Sequence, residues 1–477
     1  MSSLTDRLRG IVGGAVPRLA PELQPDGSMA VPSLPLRPAP AALAPAAMSS
    51  AAAVLGGSVS TSAKGAIILV DRHYAASELH GRVRIGDIVG TLLDAHEAWA
   101  VLNPAAAKRA AGRHVSRLPS PDTLLSFPDS RQSLWFLDLE TTGLAGGAGT
   151  QAFLVGCATI DRDGVSLRQF LLPGYEHEPT LLAEVAAWAA ARGAIVTFNG
   201  KSFDVPLIET RYLFHRVPFP LEGMPHVDML HPARRLWRAR GSMDGGVEAS
   251  CSLGTLERLL AGVHRVGDVP GFEIPARYFQ FVRDGNARPL EAVLEHNRLD
   301  LVSLALVMAR ALTLIERGPG ATRDAYECFG LARVYDKAGR TDDAEAAYVW
   351  SIELLQRVGR DPETCGEALQ RLAWCRRRAG RIREAVAAWQ LLAEMPRCPA
   401  LYRREAREAL AIFHEHRARD FQAAHTHARQ LLTDQPVGRR RDEAEHRLRR
   451  IESKLARNTP GSGLWPEPET VNAKPDA

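Results

Sequence analysis

Cysteine is sparse and scattered: six in 477 residues, at positions 157, 251, 328, 365, 375 and 398, none in a Cys-x-x-Cys pair. That excludes a disulfide framework and a zinc ribbon, and it fits a reducing compartment. No stretch approaches the roughly 18 consecutive apolar residues that a membrane span needs. The N-terminal MSSLTDRLRGIVGG lacks the apolar core of a signal peptide. The expectation is a cytoplasmic protein with no membrane partner. Strong charge of one sign is also missing, since 59 basic side chains face 55 acidic ones for a net +4. Any affinity for nucleic acid must therefore come from local clustering. What remains is a chain of ordinary composition, 45% hydrophobic and 24% charged, long enough for two or three domains.

Residues 1–60 are rich in Ala, Pro, Ser and Gly. They offer little bulky apolar surface to offset the entropy of ordering, so disorder is expected there. Residues 61–125 read as a small β-rich lead-in, with Ala66–Val70 as one strand and Val83–Ile85 with Ile88 and Val89 as another. An extended connector runs from Pro119 to Pro128. Residues 126–316 then read as an α/β domain. Strands are expected at Leu134–Leu139, Gln151–Ile160, Val165–Leu172 and Ala194–Phe198, and helices at Pro179–Ala191, Leu253–Leu260 and Pro289–Ile315.

The centre of that domain is SLWFLDLETTG, residues 133–143. An apolar strand is interrupted by Asp138 and Glu140, which project from one face because side chains alternate along a strand. Two neighbouring carboxylates are costly unless a cation lies between them, and the usual solution is a hard divalent metal. The same pair would be unremarkable on the solvent face of an edge strand. Further candidates stand where elements meet: Asp204 at a helix start after the turn Asn199-Gly200-Lys201-Ser202-Phe203, and His296 and Asp300 four apart on the long helix. Four carboxylates and a histidine are the inventory for two-metal phosphodiester hydrolysis, in which the histidine takes a water's proton. The glycine-rich loop Thr141–Thr150 is either a flexible connection or a place where a phosphate backbone approaches closely. Lys201 can pair with a carboxylate or meet a phosphate. Arg234, Arg235, Arg238 and Arg240 form a basic run that suits phosphates and a solvated helix face equally.

The order Asp-x-Glu, Asn-Gly-x-x-Phe-Asp and His-x-x-x-Asp resembles the DEDD-type 3′→5′ exonucleases. More narrowly, FLDLETTGLAGGAGT, FNGKSFDVPLI, HVDMLHPARRLW, SLGTLERLL and HNRLDLVSL look like the YprB-like group of ribonuclease H-like proteins, over about Leu134 to Leu312. The resemblance implies a ribonuclease H-like α/β fold, with a mixed sheet flanked by helices, and two Mg²⁺ or Mn²⁺ ions. By it, Asp138, Glu140 and Asp300 hold the first metal, Asp138 also touches the second, and Asp204 acts on the second through water. Asn199 and Phe203 line the nucleotide site, with Thr141 and Lys201 further substrate contacts. The implied partner is the 3′ end of single-stranded DNA or RNA. One departure is that His296 has three residues between it and Asp300, whereas histidine subclasses of DEDD exonucleases usually have four. The alternatives are a catalytically idle nucleic-acid scaffold and an adaptor led by the C-terminal region. Four retained carboxylates argue against the idle site.

Residues 322–457 read as Arg-rich helices. Gly330–Tyr335 with Ala338-Gly339-Arg340, Ala344 and Tyr348 resembles a tetratricopeptide (TPR) helix pair. The pattern recurs at Leu372–Cys375 with Ala379-Gly380-Arg381, and more faintly at Leu410–Phe413 with Arg419-Asp420-Phe421. The period is about 40 residues, longer than the usual 34 or so. The expectation is an all-α TPR-like repeat region that holds a protein partner or extends the nucleic-acid path, followed by a disordered tail at 458–477.

Overall fold

The computed structural model describes residues 43–95, 98–102, 134–143, 149–190, 192–237, 251–359, 361–434 and 439–458. In chain order the elements are α1 (Pro45–Val54), β1 (Ser58–Ser62), β2 (Gly65–Ala75), β3 (Leu79–His80), β4 (Val83–Arg84), α2 (Ile85–Asp94) and α3 (Ala98–Leu102). Then follow β5 (Leu134–Thr141), β6 (Ala152–Asp161), β7 (Gly164–Leu171), α4 (Glu178–Ala189), β8 (Ala194–Thr197), α5 (Asp204–Phe214), β9 (His226–Asp228) and α6 (Leu230–Trp237). Last come α7 (Leu253–Ala261), α8 (Ile274–Asp284), α9 (Arg288–Arg317) and seven further helices. These are α10 (Ala325–Ala338), α11 (Thr341–Val358), α12 (Pro362–Arg378), α13 (Ile382–Glu394), α14 (Ala400–Phe413), α15 (Phe421–Asp434) and α16 (Arg439–Asn458).

Three expectations need correction. Disorder through residue 60 fails for α1 and β1. Small residues deprive α1 of bulk but make it a good helix that lies close to its neighbours, with Pro45 in its first turn and Met48, Ala51 and Ala52 buried. The lead-in does not stand apart, because β2 pairs antiparallel with β7 from Ile68↔Leu171 to Ala75↔Gly164 and so extends the main sheet. Ile88 and Val89 lie on a helix rather than a strand. With Ile85 and Leu92 they are spaced three, four and seven apart, which is a helical stripe. Helix α8 was not anticipated. The connector Pro119–Pro128, most of the glycine-rich loop, Arg238, Arg240 and residues 1–42 and 459–477 lie outside the described residues.

The main sheet has seven strands in the order β1-β2-β7-β6-β5-β8-β9. The β5/β8 and β8/β9 pairs are parallel and the other pairs antiparallel. Alternation along β5 sends Trp135, Leu137 and Leu139 into one core with α4, α5 and α8, and Leu134 and Phe136 into the other with α2, α6 and α7. Asp138 and Glu140 continue the second series, where β5 runs out of core. A register shift between Glu140 and Thr141 marks a bulge that ends regular pairing there. Helix α9 links the two cores: Leu290, Val293 and Leu294 belong to the first, while Leu301 onward belongs to the second. Asn297 and Asp300 lie at the change-over.

Each helix from α10 to α16 packs on the next, which with short connections makes antiparallel hairpins. This helical region is seated tightly on the α/β part. A Cβ added at Gly330 of α10 would stand 2.3 Å from the Leu236 carbonyl oxygen of α6, so glycine alone lets the two backbones approach. Fully buried Glu327 accepts from Trp237 Nε1 at 3.0 Å and from Arg310 Nη2 at 2.6 Å, and Tyr335 Oη donates to the Ile315 carbonyl at 2.8 Å.

Candidate active site

The strand β5 delivers two carboxylates, the first turn of α5 a third, and the middle of α9 a fourth. Their proton affinities show that they share one environment. Burial, then the charges of Asp300, Glu140 and Asp204, hold the Asp138 carboxyl well above the usual carboxylate range against a hydrogen bond from Asn297. Burial and the charges of Asp300, Asp204 and Asp268 push Glu140 up to about 8. Asp204 is pushed up to about 6 by burial, although backbone N–H groups of its own turn and of Leu139 pull the other way. Burial raises Asp300 too, opposed by Arg265 and His296. A site that makes four carboxylates resist ionisation is one that a hard cation would stabilise.

The support beneath Asp138 was not legible as a motif. Asp138, Gly156 and Gln169 stand in one row across β5, β6 and β7. Buried Asn297 reaches over Gly156, donating through Nδ2 to Asp138 Oδ2 at 2.8 Å and accepting from Gln169 Nε2 at 2.9 Å. A Cβ on Gly156 would lie 2.1 Å from Asn297 Oδ1. The available signal was a glycine inside an otherwise apolar strand, which marks close approach by another group. Gly156→Ala should therefore cost about 1–3 kcal/mol of stability by overpacking. By displacing Asp138 it should also lower turnover by about 10²-fold. Chemical denaturation and single-turnover kinetics would check the two effects separately.

The turn before Asp204 is braced from β9. Asn199 adopts φ 71°, a left-handed conformation that asparagine tolerates better than most residues. Its N–H donates to Asp228 Oδ1 at 2.8 Å, and the Lys201 N–H donates to Asp228 Oδ2 at 3.1 Å. Asp228 thus fixes the backbone of the turn. Phe203 is 58% exposed beside Asp204. Thr141 Oγ1 donates to the Gly143 carbonyl at 2.9 Å, so its hydroxyl helps to close the turn after Glu140. His226 is pushed down to about 4 by burial and by Lys201, and it meets Thr197 Oγ1 at 2.7 Å.

On the other side, Arg265 Nη2 donates to Asp300 Oδ1 at 2.7 Å and Arg265 Nε to Glu257 Oε2 at 2.7 Å. His296 Nε2 lies 3.7 Å from Asp300 Oδ2. Arg265 and Asp268 were missed by the sequence reading because the segment between α7 and α8 carries no recognisable pattern, and Glu257 because it reads as an ordinary polar position on α7. Among the described residues, no three His, Cys, Asp or Glu side chains are gathered closely enough to ligate one ion as they stand. The donor set nonetheless fits a hard divalent cation: all four groups offer carboxylate oxygen, and burial disfavours the uncompensated charge of each. The residues that would hold the metal are Asp138, Glu140, Asp204 and Asp300.

An antiparallel meander followed by parallel strands, with carboxylates on β5, where the two kinds of pairing meet, and on a late helix, defines a ribonuclease H-like domain. Residues 135–312 match a family model described as the RNase_H superfamily. The chain belongs to the YprB family: it is 33% identical over 311 residues to YprB of Bacillus subtilis (strain 168), an alignment covering 64% of this chain and 70% of that protein. Membership of this superfamily supports a nuclease, with nucleic acid as substrate and divalent metal as cofactor. No helix among the described residues is long and apolar enough to cross a membrane.

Proposed function

We propose that this chain is a metal-dependent 3′→5′ exonuclease that hydrolyses single-stranded DNA or RNA. The observation that carries this reading is the electrostatic coupling of Asp138, Glu140, Asp204 and Asp300, four carboxylates from three elements raised together. Two divalent ions, Mg²⁺ or Mn²⁺, would supply charge neutralisation of the phosphate and of the departing oxygen. The chain's residues do the rest. His296 Nε2 takes a proton from the attacking water, whose oxygen bonds to phosphorus. The P–O3′ bond breaks, and the 3′ oxygen acquires a proton from solvent, releasing a nucleoside 5′-monophosphate and a strand one unit shorter. Phe203 offers an exposed ring for stacking a terminal base, with Asn199, Lys201 and Thr141 as neighbouring polar contacts. The helical region would act as a TPR-like surface for a protein partner or for the more distant part of the strand.

A second reading is a nucleic-acid scaffold with an idle site. The observation favouring it is Arg265, which already supplies a cation to Asp300. End-labelled single-stranded DNA and RNA, incubated with Mg²⁺ or Mn²⁺, separate the two. Stepwise shortening from the 3′ end is expected. Internal cuts would overturn the polarity, and tight binding without cleavage would establish the scaffold.

A further inference from the structure

His296 is anchored at its far side by a carboxylate that neither the motif nor the four-carboxylate set includes. Asp268, in the segment between α7 and α8, lies with Oδ1 2.6 Å from His296 Nδ1. Asp268 is itself fixed. Its Oδ1 also accepts the Val269 N–H at 3.0 Å, and its Oδ2 faces Arg265 Nη1 at 3.6 Å. Arg265 is in turn clamped by Asp300 and by fully buried Glu257, which pairs with His80 at 2.8 Å. The segment enters Asp268 through Gly267 at φ +73°, a conformation that favours glycine.

We propose that Asp268 is a positioning residue for the hydrolysis described above, and the inference rests on that reading. By accepting the Nδ1–H of His296, Asp268 selects one tautomer and one ring orientation. Nε2 is left with its lone pair on the side of Asp300, where the attacking water's proton would be received. A free imidazole on a helix has two tautomers and two ring flips, and only one of the four presents a basic nitrogen there. Fixing the tautomer through the second ring nitrogen is the general way in which a carboxylate tunes a working histidine. The rival role is a fifth metal ligand, since the charge of Asp268 also contributes to the raised Glu140 and Asp300. The contact with His296 favours positioning: the oxygen nearest the cluster histidine is already committed to Nδ1 and to a backbone N–H.

The test uses the full chain with ¹⁵N-labelled histidine. The His296 signals are identified by their loss in His296→Gln, and spectra are taken at alkaline pH without metal. Wild type should show the Nδ1–H tautomer, and Asp268→Ala should lose it in favour of a mixture. With Mn²⁺ and a single-stranded substrate, Asp268→Ala should lower kcat by about 10²–10⁴-fold. KM and Mn²⁺ binding, read by electron paramagnetic resonance, should be unchanged. Asp268→Asn, whose amide oxygen can still accept, should recover part of both the tautomer and kcat. A wild-type Nε2–H tautomer, or one indifferent to Asp268→Ala, overturns the proposal. Loss of Mn²⁺ binding in Asp268→Ala overturns it in favour of a ligand role. An active wild type whose kcat survives Asp268→Ala defeats positioning alone, whereas a wild type that binds strands and Mn²⁺ yet never cuts defeats the hydrolase reading and positioning together.

Discussion

Asp138→Asn should abolish metal-dependent strand shortening, lowering turnover by at least about 10³-fold, while leaving the metal-free protein no less stable than wild type. The two halves of this result have one cause. Ionisation of Asp138 is opposed by burial and by three acidic neighbours at once. Asparagine keeps the shape and an oxygen for the Asn297 Nδ2 donor, so the folded chain loses an unfavourable charge and little packing. On the proposed reading, the same change removes the carboxylate that serves both cations. Thermal melts alongside end-labelled digestion distinguish this from simple unfolding. An active Asp138→Asn would mean that the chemistry lies elsewhere.

The metal-free protein should lose stability as pH rises from about 4.5 to about 8, and divalent metal should restore it most strongly at the upper end. The sign follows from Glu140, which passes from an ordinary 4.5 when unfolded to about 8 when folded. Between those values the folded chain carries a proton that the unfolded chain has released, so raising pH favours unfolding. Its stabilising contribution is complete below the unfolded value and gone above the folded one. Asp204, raised from 3.8 to about 6, adds to the lower part of the window. Glu140→Gln should flatten the dependence and stabilise the metal-free chain by about 1–3 kcal/mol at pH 8. Each kcal/mol should appear as about 2–4 °C in the melting midpoint. Adding Mg²⁺ should raise the wild-type midpoint more at pH 8 than at pH 6, and Glu140→Gln should blunt that rise. A midpoint that climbs with pH in the metal-free wild type would refute the coupling of these carboxylates.

The parts of this molecule legible in its sequence are those written in local periodicity. Trp135, Leu137 and Leu139 alternating with Phe136, Asp138 and Glu140 reveal a strand and put both acids on one face, as the structure has them. The spacing of His296 and Asp300 places them on one side of α9. What escaped was set by tertiary contact. Gly156 matters because Asn297, over a hundred positions away, needs the space above it. Asp268 and Arg265 matter because their segment folds back onto α9, and no local rule foretells that. Composition misled at α1, where small residues signalled weak cohesion although smallness is what allows close packing. In α2 a helical stripe passed for a strand because Ile85, Ile88 and Val89 were read without Leu92, the residue that completes the helical spacing.

Helix α9 has a practical consequence for dissecting this protein. The helix that presents Asp300 runs on to Arg317, and its later residues Val307, Ala311 and Leu314 share one buried cluster with Cys328, Leu331 and Tyr335 of α10. Cutting the gene at the apparent boundary would expose an oily flank on the catalytic piece and strand Trp237, Arg310 and Glu327 without their partners. Shortened versions would thus report on aggregation rather than on what the helices recognise. The tail of this enzyme is better interrogated by surface charge reversal on α12 to α16 than with scissors.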